Sequence, residues 1–288
     1  AIFWNRDIVS ISSQAIVQFS IAAIVSLVNS TTSFVLTTVY GPSDGTNKEA
    51  FFDELARSAP PLGTPWLING DFNVIYEARD KNNLNLNRAM MSRFRTALDL
   101  AALKEIKCKN RRFTWSNERR SPTLVSIDKF FVNLEWEALF PSFMLVAAST
   151  SCSDHCPLIL ASATAPPRRA RFRFESFWVK FPHFREIVQR AWQRPATQNC
   201  AFSRIRTRLD RVARDLKIWS GSLFSDFKLQ FHKASEIILR FDVAMEKRQL
   251  TPAEFNLRKL LKQKVVGLAA VERARRRQAS RITWLKSG

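Results

Sequence analysis

The sequence predicts a layered α/β domain followed by an all-α, basic helical region. Three observations carry that expectation. In the first half, β-branched apolar runs alternate with amphipathic helical stretches, in a mixed order that suits sandwich layers better than a regular βαβ barrel. Beyond Ala165-Pro166-Pro167 the apolar residues recur at three- and four-residue spacing, the period of a helix. Charge divides at the same place. Of 45 Lys+Arg and 25 Asp+Glu, 16 and 15 fall in residues 1–164, a net of +1; the other 29 and 10 fall in residues 165–288, a net of +19. Two domains are therefore drawn, 1–164 and 165–288. With 46% hydrophobic and 24% charged residues, the 288-residue chain is globular and can bury a core without staples.

The elements follow in order. Ile8–Ser12, Gln18–Val28 and Ser33–Tyr40 read as strands, and Gly41-Pro42-Ser43-Asp44-Gly45 as a turn. Lys48–Ser58 reads as a helix with Phe51, Phe52 and Leu55 on one face, stopped by Pro60-Pro61. Pro65–Asn69 is a short buried strand ending at Gly70. A polar loop over Asp80–Asn87 leads to a helix over Ala89–Leu100, with Met90, Phe94, Ala97 and Leu98 inward. Phe113-Thr114-Trp115, Leu124–Val132, Phe143–Ala147 and Pro157–Ala161 complete the strands. In the basic half a helix starts near Pro182. Phe202, Ile205, Leu209, Val212, Leu216 and Trp219 then form a heptad-type seam, which Ser220-Gly221 is expected to break or cap. The pattern resumes from Phe224 to Met245. Thr251-Pro252-Ala253-Glu254 is a helix start, with Thr as N-cap, Pro at N1 and Glu three residues on. The short turn at Arg248–Thr251 folds the last two helices into an antiparallel hairpin.

Four scattered cysteines, with no CxxC pair, argue against a disulfide framework and a zinc site and point to a reducing compartment, nuclear or cytoplasmic. Ala15–Val28 is too short and too interrupted by Gln18, Ser20 and Ser26 to supply the roughly 20 apolar residues of a membrane span. No basic n-region or small-residue cleavage site marks a signal peptide, so neither secretion nor a membrane partner is expected. The first residue is Ala1, which reads as a processed chain or a fragment.

Three acidic clusters sit at strand ends. In Gly70-Asp71-Phe72-Asn73 the carboxylate and carboxamide are two residues apart and are expected on one side, where they can hold a water, a phosphate oxygen or a hard cation. Ser126-Ile127-Asp128-Lys129 places a carboxylate in an otherwise apolar strand, where it needs a partner. Ser153-Asp154-His155-Cys156-Pro157 offers a metal ligand and an acid/base group.

Together with Val39-Tyr40-Gly41-Pro42, these words resemble the endonuclease/exonuclease/phosphatase superfamily. The flanking Arg112-Phe113-Thr114-Trp115-Ser116 and Ile127-Asp128-Lys129-Phe130-Phe131 are similar to the apurinic-type endonuclease of plant LINE (non-LTR) retrotransposons. Phe172-Arg173-Phe174-Glu175 and Ser280–Gly288 resemble the connector that leads to a reverse transcriptase. The resemblance implies a partial DNase I-like four-layer α/β sandwich and an Mg²⁺- or Mn²⁺-dependent phosphodiester hydrolase. It implies that Asp71 orients or deprotonates the attacking water and that Asn73 holds that water or a phosphate oxygen. Tyr40 contacts the scissile phosphate, His155 faces it with Asp128 as carboxylate partner, and Asp154 contributes to the cation site. The family's Asn on its first strand and its metal-binding Glu precede the point where this sequence starts. The expectation is therefore an N-terminally truncated, catalytically impaired domain with weakened metal binding.

The basic half points to a polyanionic partner, DNA and also RNA. Arg273, Arg275, Arg276, Arg277 and Arg281 are its densest run and suit phosphate contacts or a nuclear-import signal. The heptad-type seam also allows coiled-coil self-association, and the resemblance places a reverse transcriptase domain downstream. His183 and His232 read as structural, and Trp178, Trp192 and Trp219 as core anchors. Two function classes stand: an endonuclease, and a non-catalytic nucleic-acid-binding remnant. A phosphatase of the same superfamily is a third.

Overall fold

The computed structural model describes residues 1–162, 174, 178–179, 181–197 and 200–285, without the side chains of 222–227 and 274–285. It divides into two units: Ala1–Ala165 with Leu239–Phe255, and Pro166–Ile238 with Asn256–Gly288.

The first unit is α/β. Its strands are β1 (Val9–Ile16), β2 (Ser20–Leu27), β3 (Ser33–Tyr40), β4 (Trp66–Asp71), β5 (Lys104–Glu105), β6 (Trp115–Ser116), β7 (Leu124–Val125), β8 (Asp128–Val132), β9 (Phe143–Ala147) and β10 (Leu158–Ser162). Its helices are α1 (Lys48–Arg57), α2 (Arg88–Leu100) and the short α3 (Leu134–Leu139). Six strands form one sheet in the order β1-β2-β3-β4-β8-β5; β9 with β10 and β6 with β7 form two small sheets. Only β3 and β4 pair in parallel within the large sheet, and α1 makes their crossover.

Strand alternation distributes the core. Trp66, Ile68, Val39 and Phe131 face α1 and α2, where they meet Phe51, Phe52, Leu55, Phe94 and Leu98. Their neighbours Leu67 and Val132 face the opposite way, against Leu145 of β9, Trp136 of α3 and Ile106. Three layers result: a helix pair, the large sheet, and the β9–β10 sheet with α3. Polar ties fix the layers. Glu54 of α1 accepts from the Ser20 hydroxyl at 2.6 Å and the Phe19 N–H at 3.1 Å. The Asn133 carboxamide accepts from the Trp66 N–H at 2.8 Å and caps α3 through the Trp136 N–H.

Two strand expectations need correction. The run Leu124–Val132 is two strands, because the Ser126 N–H turns aside to the Asp80 carbonyl and the Ile127 N–H to the Thr114 hydroxyl. Phe113 and Thr114 lie before β6, which starts at Trp115. Neither β5 nor α3 was expected, both being too short to show a period.

The helical region contains α4 (Phe184–Gln193), α5 (Ala201–Met245) and α6 (Pro252–Leu285). The expected break at Ser220-Gly221 does not occur, since α5 runs through it. One glycine costs a helix only about 1 kcal/mol relative to Ala, which packing of Leu216 and Trp219 against Trp178 and Ile187 readily offsets. Ala234 and Ile238 pack against Val265 and Leu261, the register of an antiparallel pair. The capping box at the start of α6 forms: the Glu254 N–H donates to the Thr251 hydroxyl at 3.3 Å, and the Thr251 N–H to the Glu254 carboxylate at 2.8 Å. Phe202, Ile205 and Leu209, the first half of the expected seam, are exposed, and so is Trp192, which lies under the Arg208 guanidinium rather than in a core. None of the four cysteines forms a disulfide. Among the described residues, no helix is long and apolar enough to cross a membrane.

Candidate active site

The site is built at one end of the large sheet, on the face that carries β9 and β10. Parallel pairing sets Tyr40, the last residue of β3, beside Asp71, the last of β4. Antiparallel pairing sets Asp71 opposite Asp128, the first of β8. Two carboxylates thus meet across adjacent strands, an arrangement that is unfavourable without a compensating cation or donor. The loop before β10 brings His155 over them. His155 Nδ1 lies 2.9 Å from Asp128 Oδ2, and Nε2 lies 4.0 Å from Asp71 Oδ2. Among the described residues, Asp71, Asp128 and His155 are the one group of His, Cys, Asp or Glu close enough to share a metal ion.

The backbone around Asp71 is specialised. Gly70 has φ +143°, and a Cβ there would overlap the Val39 carbonyl oxygen, so β4 can approach β3 here only with glycine. Asn73 has φ 51° and lies beyond the strand. Strand alternation therefore does not pair it with Asp71. Instead its N–H donates to Asp71 Oδ1 at 2.8 Å, a local turn of the kind Asn and Asp favour, and its side-chain amide donates to the Gly41 carbonyl at 2.8 Å. Lys48, on the same helix stripe as Phe51 and Phe52, buries its ammonium and donates to the Asn73 carbonyl at 2.9 Å. A groove of about 300 Å³ beside it is lined by Asp44, Lys48, Asn73, Asn85 and Asn87. Tyr40 is 69% exposed at its rim of the sheet, open to a large ligand.

The charges respond to this crowding. Burial and the neighbouring Asp128 raise the Asp71 carboxyl above the usual range, against the pull of the Asn73 N–H, His155 and Lys48. Burial lowers Lys48 to about 8, while Asp71 and Asp44 hold it from falling further. Partial burial draws His155 down, but the hydrogen bond and charge of Asp128, with Asp71 and Asp154, outweigh it and leave the imidazole raised.

A second set of residues holds this site together. The Thr114 hydroxyl accepts from the Ile127 and Asp128 N–H groups at 3.1 and 3.0 Å, and its carbonyl accepts from the Cys156 N–H at 2.8 Å. Trp115 bridges to His155 along the backbone, and its indole N–H donates to Asp154 at 2.9 Å. The Asp154 carboxylate is thereby directed to Trp115 and does not enter the Asp71–Asp128–His155 group. Sequence reasoning missed Lys48 and Thr114. The signal for Lys48 was a cation in step with an apolar helix stripe; Thr114 carried none beyond its place in the Arg112–Ser116 word.

Of the basic run on α6, Arg273 is exposed; the side chains of Arg275, Arg276, Arg277 and Arg281 lie outside the described residues, as do Phe172, Arg173 and Glu175.

Residues 1–155 match the Endonuclease/Exonuclease/phosphatase family, and the chain belongs to it. Similar solved structures include the endonuclease domain of TRAS1, a telomere-specific non-LTR retrotransposon (14% identity, TM-score 0.38, covering 50% of this chain and 64% of that one). Others are the catalytic domain of human nocturnin (11% identity, TM-score 0.34, 54% and 62%) and a Staphylococcus aureus beta toxin mutant with bound magnesium ions (12% identity, TM-score 0.35, 50% and 57%). The chain thus spans less than two thirds of the length of each of these three. No curated protein matches it.

Proposed function

We propose that this chain is a divalent-cation-dependent phosphodiester hydrolase acting on DNA, of the endonuclease type carried by non-LTR retrotransposons. The observation that carries this reading is the Asp71–Asp128–His155 group at the end of the sheet, with one imidazole nitrogen held by Asp128 and the other turned to Asp71.

The 4.0 Å gap between Asp71 Oδ2 and His155 Nε2 suits an intervening oxygen atom better than a direct bond. Asp71 orients a water there and accepts its proton. Asp128 accepts from Nδ1–H, which leaves Nε2 facing the reacting centre, and the raised imidazole carries a proton there towards a phosphate oxygen. Asn73 fixes Asp71 through its N–H, and Tyr40 contacts the phosphate from the exposed rim. The donor set fits a hard cation, two carboxylates with an imidazole beside them, so Asp71 and Asp128 would hold Mg²⁺ or Mn²⁺. Such a cation, when bound, neutralises charge on the phosphate. Asp154 acts from outside, through its charge on His155. The described donor set is small, which suits weak cation binding and slow turnover.

A second reading has a specific support. The net charge of +19 over residues 165–288 suits phosphate binding by the helices without cleavage, to DNA or RNA, beside a downstream reverse transcriptase domain or a second copy along the exposed half-seam of α5. A nicking assay on supercoiled plasmid separates the two. Cleavage that needs Mg²⁺ and is lost in Asp71→Ala and His155→Ala supports the hydrolase; salt-sensitive binding with no cleavage supports the binding module.

A further inference from the structure

The first unit includes a piece of chain from far downstream, Leu239–Phe255, the end of α5 and the turn into α6. Two acidic residues of that piece grip the segment 111–113. Arg111 Nη1 donates to Asp242 Oδ2 at 3.0 Å, with the two side chains 4% and 0% exposed. Glu246 accepts from the Arg112 N–H at 3.1 Å and from the Phe113 N–H at 3.3 Å, and its carboxylate lies 3.6 Å from Arg111 Nε. These N–H groups belong to an irregular segment, between β5 and β6, where no ladder satisfies them.

The next two residues hold the site. Thr114 receives the N–H groups of Ile127 and Asp128 on its hydroxyl and that of Cys156 on its carbonyl. Trp115 bridges to His155 and binds Asp154. Thr114 therefore touches both sides of the Asp128–His155 pair: the N–H groups of Asp128 and its predecessor on one side, and the N–H of the residue after His155 on the other. An open pocket of about 640 Å³ beside this segment is lined by Thr114, Ser126, Asp128, Val243 and Glu246 among others.

We propose that Glu246, with Asp242, is a positioning residue for the Asp128–His155 pair, acting through Arg111–Trp115. It lies well beyond residues 1–155, the part that matches the family. The end of α5 thus completes the site that the sheet begins. The inference deepens the hydrolase reading and rests on it for its catalytic consequence, though not for its structural one.

The test uses the full chain in EDTA and then in Mg²⁺. Glu246→Ala removes both acceptors, Glu246→Gln keeps a carbonyl oxygen for the two N–H groups, and Glu246→Asp keeps the charge but withdraws it by one methylene. Nitrogen-15 spectra read the Trp115 indole and the His155 ring, with His183 and His232 as internal references, since the chain has three histidines. Positioning predicts that Glu246→Ala displaces the Trp115 and His155 resonances while His183 and His232 stay, and that Glu246→Gln restores them. In the nicking assay it predicts a kcat lower by about 10–100-fold at a KM within about twofold, the usual size of an outer-shell loss, with Glu246→Gln recovering most of it. If Glu246→Ala does not fold, Glu246→Asp must show the same displacement in smaller measure. Wild-type resonances in Glu246→Ala, or equal displacement of all three histidines, overturns the inference. Local displacement in a chain that never cleaves DNA leaves it standing and overturns the hydrolase reading instead.

Discussion

Removing the Lys129 charge should cost the first unit several kcal/mol, about 3–5. Its ammonium is 1% exposed and lies 2.9 Å from Asp80 Oδ2, 2.8 Å from Glu105 Oε1 and 3.4 Å from the Ser126 hydroxyl. Both carboxylates are themselves buried, at 7% and 9% side-chain exposure. Lys129→Met keeps the length and apolar stem but leaves two buried carboxylates facing the vacated centre. Removing one partner of a buried ion pair costs about 3–5 kcal/mol. Asp80 keeps the Tyr76 and Glu77 N–H groups, both at 2.9 Å, and Glu105 keeps Lys107, which holds the loss to about that range rather than more. With an m-value of about 2 kcal/mol/M, the urea midpoint should fall by about 2 M. Urea unfolding at pH 7, followed by tryptophan fluorescence and by circular dichroism, reads it. The triple variant Lys129→Met/Asp80→Asn/Glu105→Gln removes the stranded charges and should recover at least half of the loss. A deficit below about 1 kcal/mol in the single variant, or a triple variant no better than the single, would mean that Lys129 does not hold these two carboxylates.

Three further outcomes follow from the same geometry. Gly70→Ala forces a side chain into φ +143° and against the Val39 carbonyl, so the first unit should lose about 3 kcal/mol or more, read as loss of soluble protein or of its cooperative melt. Lys48→Met withdraws a positive charge that lowers Asp71, so Asp71 should rise further and the acid limb of the cleavage pH profile should move to higher pH. His155 sits above its ordinary 6.5 in the folded chain. Its contribution to stability is therefore complete below about 6.5 and lost as pH rises through the folded value. His155→Asn should flatten that part of the stability–pH curve, measured by urea unfolding between pH 5 and 9.

Much of the first unit was legible because its strands end in punctuation. Tyr40-Gly41-Pro42 closes β3 where the sequence places it, and Phe143–Ala147 is β9 residue for residue. The Gly-Asp-Phe-Asn, Ser-Ile-Asp and Ser-Asp-His words located the cluster, although nothing local says that strands 57 residues apart place Asp71 opposite Asp128. What was not legible is what depends on partners distant in sequence. The Leu124–Val132 run has no Gly or Pro to mark a break, and it divides because Asp80 and Thr114 take its N–H groups. Asn73 sits where a two-residue period would put it, yet it reaches Asp71 by a left-handed turn. The hold of Asp242 and Glu246 on Arg111–Phe113 spans more than 130 residues and has no sequence period.

On the proposed reading, Asp71 and His155 serve one phosphodiester-cleaving centre. Groups that act as a unit show strongly non-additive losses, because removing either one already disables the step. The direct test is the single-turnover nicking rate of the full chain in Mg²⁺, for wild type, Asp71→Asn, His155→Ala and the double variant. Each single variant should lose about 10²–10⁴ in rate, and the double variant should be no slower than about tenfold below the worse of them. Losses that multiply, or wild-type cleavage that neither single change diminishes, would contradict that reading.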